Sequence, residues 1–326
     1  MAAALHNALY WKPHSIPWFL ASIASLALAW AETTFVPNVQ AVNTFPYRCF
    51  LLTAIATLTL LWFLSSRLTL LRIKIYHQSQ FLFALGLFLT VWDLLTTKSG
   101  FFRLPFFPGP AQIIAVMTRE YAVLLISTAY SMRLFFVGLL TGTALGLTTG
   151  ILIGWYRQWN YWLFPLIKLT GVIPAVAWMP IAIVIFPDSF SAGVFLITIA
   201  SWFSVAFMVA GGIASTPKTY YEVAKTLGAN EAYLLRHVAI PNAVPGIFTG
   251  VSTATGLSFL TLVISEMVGA KAGLGWYINW AKGWSAYDKV YASIIIMAIA
   301  FSLILAFLSA LRNHVLRWQR GIVKVT

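Results

Sequence analysis

Residues 216–241 read TPKTYYEVAKTLGANEAYLLRHVAIP, a polar stretch between long apolar runs. Thr216 is suited to cap a helix that has Pro217 at its first position, and Gly228 suits the left-handed residue that ends such a helix. Asn230 can begin a second helix. The stretch is therefore predicted to form two short helices joined at a glycine, an exposed and rigid shape suited to docking.

The chain around this stretch is too apolar to cover a surface in water. Of its 326 residues, 60% are hydrophobic and only 9% are charged, whereas soluble domains carry roughly 25% charged residues. A soluble enzyme, a disordered tail and a fibrous protein are excluded, and the chain is predicted to be an all-α polytopic membrane protein. The single cysteine, Cys49, excludes an internal disulfide and a zinc site built on cysteine pairs.

Apolar runs of membrane-spanning length predict about eight transmembrane helices. They cover residues 16–31, 49–65, 81–96, 132–154, 161–186, 189–214, 243–268 and 290–311. Residues 121–131 continue the fourth run upstream, but a helix of the combined length would be about 51 Å long. We therefore expect part of it to bend or to lie at the interface.

The net charge of +13 is attributed to membrane orientation and not to nucleic-acid binding, because the basic residues lie between apolar runs. With the amino terminus inside, the cytoplasmic segments hold Lys12, Arg67, Arg72, Lys74, Arg157, Lys218, Lys225, Arg236, Arg312, Arg317, Arg320 and Lys324. The outer segments hold the smaller set Arg48, Lys98, Arg103, Arg119, Lys271, Lys282 and Lys289. Both termini are therefore predicted to be cytoplasmic.

The first apolar run has a second interpretation. It follows Lys12 and ends in Ala29-Trp30-Ala31 before Glu32, which is the form of a signal-peptide cleavage site. Further spans follow instead of a secreted domain, which favours an uncleaved helix. The topology after residue 49 is the same in either case.

Five glycines recur at every fourth residue of the fourth span: Gly138, Gly142, Gly146, Gly150 and Gly154. On a helix this spacing leaves a stripe without side chains, along which another helix can approach closely in lipid. Tight helix packing is the favoured interpretation, and a direct role in lining a pathway is the alternative.

The fifth span is interrupted by prolines, which kink helices and are tolerated at membrane depth beside protein or a water-filled cavity. It carries Pro165, Pro174, Pro180 and Pro187. A broken helix beside a pathway and kinks satisfied by neighbouring helices are both open. The candidates for lining a pathway are Arg133, Trp178, Met179 and Ser258.

Ionisable residues near the spans are functional candidates because charge at membrane depth is costly. They are Asp93, Arg133, Lys168 and Glu266. Snorkelling to a nearby interface is the alternative explanation for each of them.

A family resemblance begins in the polar stretch. Membrane subunits of type I ABC importers carry a cytoplasmic motif of Glu-Ala-Ala, three residues, Gly, nine residues, Ile, one residue and Leu-Pro. The matching positions are Glu222, Ala224, Gly228, Val238, Ile240 and Pro241, with Val223 replacing the second motif residue. The spacing of the motif is intact.

The resemblance extends over residues 105–320, which are similar to permeases of the nitrate, sulfonate, taurine and bicarbonate group. It is carried by Pro108-Gly109-Pro110, Arg133, the glycine-rich span, residues 174–180, Glu266-Met267-Val268-Gly269-Ala270 and Gly273-Leu274-Gly275. Phe186-Pro187-Asp188-Ser189 departs from the Phe-Gly-containing turn usual there. Two spans before residue 79 are additional, so we expect an N-terminal extension, 1–78, and a six-helix permease domain, 79–326, with a coupling loop at 217–241.

The resemblance implies a transport subunit and not an enzyme. The coupling loop is expected to insert into a separate ATP-binding subunit, because the chain has no phosphate-binding sequence of the form Gly, four residues, Gly-Lys-Ser/Thr. ATP and Mg²⁺ are expected on that partner, with no cofactor or metal in this chain. The implied coupling residues are Glu222, Ala224, Gly228, Ala229 and Pro241.

The same resemblance implies the bacterial cytoplasmic (inner) membrane, a second permease copy forming a homodimer, and an extracytoplasmic solute-binding protein that delivers a small anion such as nitrate, a sulfonate, taurine or bicarbonate. A secondary transporter driven by an ion gradient is the main alternative, but repeated halves and midplane carboxylates are not evident. An intramembrane enzyme is disfavoured, because all five histidines are predicted outside the spans: His6, His14, His77, His237 and His314.

Overall fold

The computed structural model describes residues 15–65 and 69–317 of the chain. Every regular element in these residues is helical, which confirms the all-α prediction. The chain divides into two compact units, residues 1–122 with 281–292 and residues 123–280 with 293–326. Several residues used to predict the orientation or to weigh an enzyme lie outside the described residues: His6, Lys12, His14, Arg67, Arg320 and Lys324.

Four helices make up most of the first unit: α1 Ser15–Phe35, α2 Phe45–Ser65, α3 Thr69–Asp93 and α4 Pro110–Arg119. A π-helical turn, Leu94–Lys98, extends α3. α1 packs along α3, and α2 packs on α1 and α4. Helices are the only open-ended structure that satisfies its own backbone in lipid, which explains their dominance here.

The contact between α1 and α3 depends on small residues. A Cβ atom at Gly86 of α3 would lie 2.9 Å from the Cβ of Ser25 on α1. Two helices can approach this closely only where one of them carries no side chain. The apolar core beside the contact consists of Leu26, Ala29, Tyr47, Leu51 and Ala111.

Two cations bind backbone carbonyls at or just after the end of α1, one from the end of α3 and one from α2. Lys98 is buried, and its Nζ donates to the carbonyl of Val36 at 2.6 Å and to Oδ1 of Asn38 at 2.8 Å. Nη2 of Arg48 donates to the carbonyl of Thr33 at 2.9 Å. Lys98 thus holds the segment that follows α1, and Arg48 holds the last turn of α1 itself, roles that their expected place in loops does not reveal.

The second unit contains most residues of the remaining helices: α5 Tyr121–Trp155, α6 Arg157–Val172, α7 Met179–Ile185, α8 Ser189–Ala214, α9 Lys218–Thr226, α10 Glu231–Gly269, α11 Leu274–Gly283 and α12 Tyr287–Val315. α8 and α10 pack along each other at the centre of the second unit. Side chains of α5, α8 and α10 form the main core, including Phe135, Ile197, Val205, Val209, Ala254 and Leu262.

The glycine ladder of α5 lies against α8. A Cβ atom at Gly146 would be 2.6 Å from the Cβ of Val205, and one at Gly150 would be 2.7 Å from the Cβ of Val209. The ladder faces a matching row at the same spacing on α8: Ile197, Ser201, Val205, Val209 and Ile213. Each missing side chain on α5 is thus filled by one on α8.

In the described residues, seven helices are long and apolar enough to cross a membrane, and the α6–α7 pair makes eight if it is one span. The predicted number is therefore confirmed. Of the two interpretations left open for the fifth span, the broken helix is confirmed, whereas its place beside a pathway stays a prediction. α6 and α7 are bent by 93° at a break. Ile173 is extended there, because Pro174 disfavours the helical conformation of the residue before it.

Two other span boundaries differ from the prediction. α5 runs without a break over 35 residues, about 52 Å, so residues 121–131 belong to the same helix as the glycine ladder. α3 begins at Thr69 and not near residue 81, which places Arg72 and Lys74 on a helix and not in a loop. The polar residues between positions 69 and 80 predict a loop, but a helix also tolerates such residues well.

The charges expected near the spans fall into two classes. Asp93 is 1% exposed, so snorkelling does not explain it. Lys168 is exposed on α6 and lies over the ring of Phe164, 4.8 Å from its centroid, so snorkelling stays one of two predictions for it. The orientation of the chain and its division at residue 78 stay predictions.

Candidate functional site

The polar stretch forms a sharp helical turn. α9 ends beside Gly228, whose φ of +86° is a left-handed conformation that favours glycine. Oδ1 of Asn230 accepts a hydrogen bond from the backbone N–H of Tyr233 at 2.8 Å and so caps the next helix. Lys225 pairs with Glu231 across the turn at 3.4 Å. We call α9, Gly228 and the first turns of α10 the Gly228 turn.

Two details of the predicted turn are wrong. Thr216 does not cap α9, whose N-cap is Pro217. Oγ1 of Thr216 instead accepts a hydrogen bond from Nδ2 of Asn242 at 3.0 Å, so it joins the two sides of the turn. A contact between residues this far apart in sequence is not readable from a local capping pattern.

The second helix of the turn is also not short. It continues through a π-helical segment, Leu234–Ala239, into the long part of α10, and the combined helix has 39 residues. Pro241 lies in the first turn of the segment after the π-helix, where a missing N–H is tolerated. The proline therefore does not break the helix, and the turn is continuous with a membrane span.

The Gly228 turn exposes apolar side chains. Leu227 is 84% exposed and Val223 is 56% exposed. They border a concavity of 870 Å³ whose lining includes four predicted coupling residues: Ala224, Gly228, Ala229 and Pro241. Glu222, the fifth predicted residue, is exposed on α9 but does not line the concavity. An exposed apolar hollow of this kind is typical of an interaction site.

An aromatic pair that the sequence did not single out attaches the turn to α5. The ring of Tyr221 on α9 packs edge-on against Trp155 at the end of α5, with centroids 5.8 Å apart. Both side chains also pack against the main core of the second unit. α9 is therefore exposed on one face and anchored on the other.

Glu266 is buried near the far end of α10 and holds three helices together. Its Oε2 accepts hydrogen bonds from Oγ of Ser131 at 2.9 Å and from the N–H of Gly275 at 2.8 Å. Oγ of Ser131 in turn accepts one from the N–H of Leu274 at 2.8 Å. We call this arrangement of α5, α10 and α11 the Glu266 clamp. Glu266 is 1% exposed, which excludes snorkelling.

The glycines around the clamp are required by its geometry. Gly273 has a φ of +117°, and a Cβ atom at Gly275 would lie 2.7 Å from the Cβ of Glu266. The two sequence features Glu266-Met267-Val268-Gly269-Ala270 and Gly273-Leu274-Gly275 are therefore parts of one structural unit.

A cavity of 620 Å³ lies beside the clamp. Its walls come from the ends of α5, α7, α8 and α10 and include Tyr130, Arg133, Phe186, Asp188, Glu266 and Lys271. The guanidinium of Arg133 lies 4.8 Å from the centroid of the Phe190 ring. We call this space the Arg133 cavity.

Asp188 caps α8 at the wall of this cavity. Its carboxylate accepts hydrogen bonds from the N–H and the Oγ of Ser191, both at 2.8 Å. The backbone bond, followed by the side-chain bond, holds the pKa of the Asp188 carboxyl below its ordinary value.

The four pathway candidates do not meet in this cavity. Only Arg133 lines it. Trp178 and Met179 pack against α8 in a separate small core, and Ser258 is wholly buried on α10. A pathway role for these four residues stays a prediction. Within residues 15–65 and 69–317, no three His, Cys, Asp or Glu side chains are grouped to hold a metal ion.

The chain matches known proteins over more than half of its length. Residues 142–321 match the family described as binding-protein-dependent transport system inner membrane component. The chain is 32% identical over 228 residues to the bicarbonate transport system permease protein CmpB of Synechococcus elongatus, covering 66% of this chain and 79% of that protein. It is 28% identical over 232 residues to the nitrate import permease protein NrtB of the same species, covering 67% and 80%.

The fold has a counterpart among solved structures. The inward-facing MetNI methionine ABC transporter contains a chain that aligns with a TM-score of 0.52 at 21% identity, covering 60% of this chain and 98% of that one. The likeness shows a shared fold.

Proposed function

Because this chain belongs to the family of binding-protein-dependent transport system inner membrane components, we propose that the Gly228 turn is where the chain receives the force for transport. The chain is a membrane-spanning permease subunit of an ABC importer and is not itself an enzyme. We place ATP and Mg²⁺ on a separate ATPase that docks on the turn. A second copy of the chain completes a homodimer, and a solute-binding protein delivers the cargo on the opposite side.

The observation that carries this proposal is the exposed apolar hollow on a firmly anchored helix. Leu227 and Val223 are exposed, while Tyr221 on the same short helix is held by Trp155. Exposed apolar side chains at the rim of a hollow favour a protein partner over water. The anchored face lets a displacement of α9 reach α5 without being lost in a flexible loop.

The continuity of α10 supports the same function. Its 39 residues span about 58 Å and connect the Gly228 turn at one end with the Glu266 clamp at the other. A movement of the turn is therefore carried along one helix to the Arg133 cavity. The π-helical segment and Pro245, which lie within α10, are the positions where this helix can bend.

We propose a small anion as cargo and the bacterial inner membrane as location, with both termini cytoplasmic. The names of two relatives, a bicarbonate and a nitrate permease, support the anion. The positively charged Arg133 and Lys271 on one cavity are consistent with it. The orientation follows from the excess of basic residues in the segments assigned to the cytoplasm.

The test compares two exposed apolar residues. Leu227→Asp places a charge in the hollow, and Trp284→Asp changes a side chain that is 74% exposed in a turn between α11 and α12. The complex of each variant with the ATP-binding subunit is purified and its ATP-dependent uptake measured. We expect Leu227→Asp to reduce copurification at least about tenfold, because burying an unpaired charge is costly, and Trp284→Asp to have little effect.

Equal copurification of both variants would contradict the docking assignment. Uptake that persists without ATP but collapses with an uncoupler would instead show a secondary transporter.

A further inference from the structure

The Arg133 cavity contains two cations without a carboxylate partner. Among the described residues, neither Arg133 nor Lys271 forms an ion pair; the two ion pairs there join Lys225 with Glu231 and Lys289 with Glu120. Arg133 instead lies over the ring of Phe190. We propose that this cavity binds a small oxyanion between Arg133 and Lys271. As a loading site for cargo, the inference rests on the proposed function.

The two carboxylates in the cavity wall do not compete for these cations. Asp188 is bonded to the first turn of α8, and Glu266 is bonded to the first turn of α11. The N-terminus of a helix carries a partial positive charge, so each of these carboxylates is offset where it lies. Arg133 and Lys271 therefore remain, among the described residues, the positively charged groups of the cavity without an ion-pair partner.

The geometry of the cationic side favours an oxyanion that can present two oxygens to one guanidinium. A guanidinium presents parallel N–H donors that match two oxygens of a carboxylate, phosphate or similar oxyanion. Phe190 supports one face of the Arg133 guanidinium and leaves its edges available. Lys271 adds a flexible point charge from the segment between α10 and α11. Nitrate, bicarbonate and a sulfonate group share this chemistry.

Part of the cavity wall lies where α7 is followed by α8. Phe186, Pro187, Asp188 and Ser189 all line the cavity. The positive-inside prediction places Lys271, and with it the cavity, on the outer side. An anion that arrives from the outer side would therefore bind at this site before it enters the pathway.

Two sources can supply such an oxyanion, a solute or the phosphate of a lipid headgroup. The cavity also has apolar walls, including Ile183 and Phe186, which a lipid chain could contact. The shared chemistry is an oxyanion held by a guanidinium and an ammonium group. The experiment therefore supplies the two sources separately.

The full chain is reconstituted in phosphatidylcholine nanodiscs, and its thermal unfolding is followed by tryptophan fluorescence. Sodium nitrate, bicarbonate or methanesulfonate is titrated against sodium chloride at equal ionic strength. A ligand that binds the folded state raises the unfolding temperature with a saturable dependence on its concentration. We expect such a rise, and we expect Arg133→Gln and Lys271→Gln each to weaken the apparent affinity about tenfold.

Lys168→Gln is the matched control. Lys168 also lies 4.8 Å from the centroid of a ring, that of Phe164, but it does not line the cavity. Its removal should leave the anion dependence unchanged. Arg133→Lys keeps the positive charge but loses the pair of parallel N–H donors, so we expect an affinity between those of the original chain and Arg133→Gln. Lys271 is exposed, so Lys271→Gln tests the site if Arg133→Gln fails to fold.

A second arm repeats the measurement in nanodiscs that contain phosphatidylglycerol, without added anion. Stabilisation that requires Arg133 and Lys271 in this arm alone assigns the site to a lipid phosphate, whereas stabilisation by the free anions assigns it to a solute. No stabilisation in either arm, or an equal rise in Arg133→Gln and Lys271→Gln, overturns the proposal. The measurement uses neither an ATPase nor a binding protein, so it stands or fails independently of docking at the Gly228 turn.

Discussion

Glycine is required both in the ladder of α5 and at position 228 of the Gly228 turn, but for different physical reasons. Gly146 is crowded: an added Cβ atom would lie 2.6 Å from Val205. Gly228 is in open space, with nothing within 4 Å of an added Cβ atom, but its φ is +86°. The ladder requires residues without a side chain, because α8 fills the space beside them. The turn requires a residue that adopts the left-handed backbone conformation.

The two regions are therefore expected to respond differently when a glycine is replaced by a residue with a side chain. A side chain added to the ladder must push two helix backbones apart, and a packed interface cannot relax without loss of contacts. A side chain added at the turn meets no atoms and costs only backbone strain. Stability of the unit is therefore concentrated in the ladder, and the shape of the docking surface depends on the turn.

The largest effect is expected at the ladder. Gly146→Leu should reduce stability by about 3 kcal/mol or more, because the added atoms overpack a contact between backbones. The yield of monodisperse protein and its unfolding temperature measure this. Gly211→Leu on α8 is the control, since nothing lies within 4 Å of its Cβ position. Similar losses in both variants would mean that helix propensity, and not crowding, sets the cost.

The second-largest effect is expected at Gly273, where both crowding and a left-handed backbone require glycine. Its φ is +117°, and an added Cβ atom would collide with the carboxylate of Glu266. Gly273→Ala should cost about 2–4 kcal/mol, the sum of backbone strain and weakened hydrogen bonds in the clamp. The unfolding temperature of this variant is compared with that of Glu266→Ala and of the double variant. Strict additivity would show that Gly273 and Glu266 are not coupled.

A smaller effect is expected at the turn. Gly228→Ala should cost about 1–2 kcal/mol of local strain, and Gly228→Asn less, because asparagine tolerates the left-handed conformation. The expected readout is weaker copurification of the ATP-binding subunit with an unfolding temperature close to that of the original chain. A large fall in unfolding temperature without loss of copurification would reverse the roles assigned to the two regions.

The smallest change should follow Gly256→Ala in α10. Nothing lies within 4 Å of the added atom, and the residue is helical. The substitution should be neutral or stabilise the chain by up to about 1 kcal/mol, since alanine favours a helix. A clear loss of stability or of transport would reveal a close approach at Gly256 in another state of the protein.

Much of the architecture follows from local sequence. The number of spans comes from apolar length, and the left-handed glycine of the turn comes from its place after a helical pattern. The continuity of α10 is not predicted, because the seventh apolar run begins only at residue 243, and Pro241 does not interrupt the helix because a proline is tolerated in a first helical turn. The 93° bend between α6 and α7 has its cause in Pro174, but sequence gives no angle.

The candidate sites were harder to predict because their partners are distant in sequence. Ser131 and Glu266 are bonded across 135 residues, so their pattern contains no local spacing. Arg133 was recognised as unusual, but nothing in the sequence placed Lys271 on the same cavity. Tyr221 and Trp155 looked like ordinary aromatic residues, and only their contact shows that they anchor the turn.

The contact between α5 and α8 also limits how the protein can move. Along four successive turns, the backbone of α5 lies against side chains of α8, so neither helix can slide or rotate past the other without collision. The two helices must travel together as a single block. Any change in access across the membrane therefore has to arise at contacts made by longer side chains, which can exchange one rotamer for another.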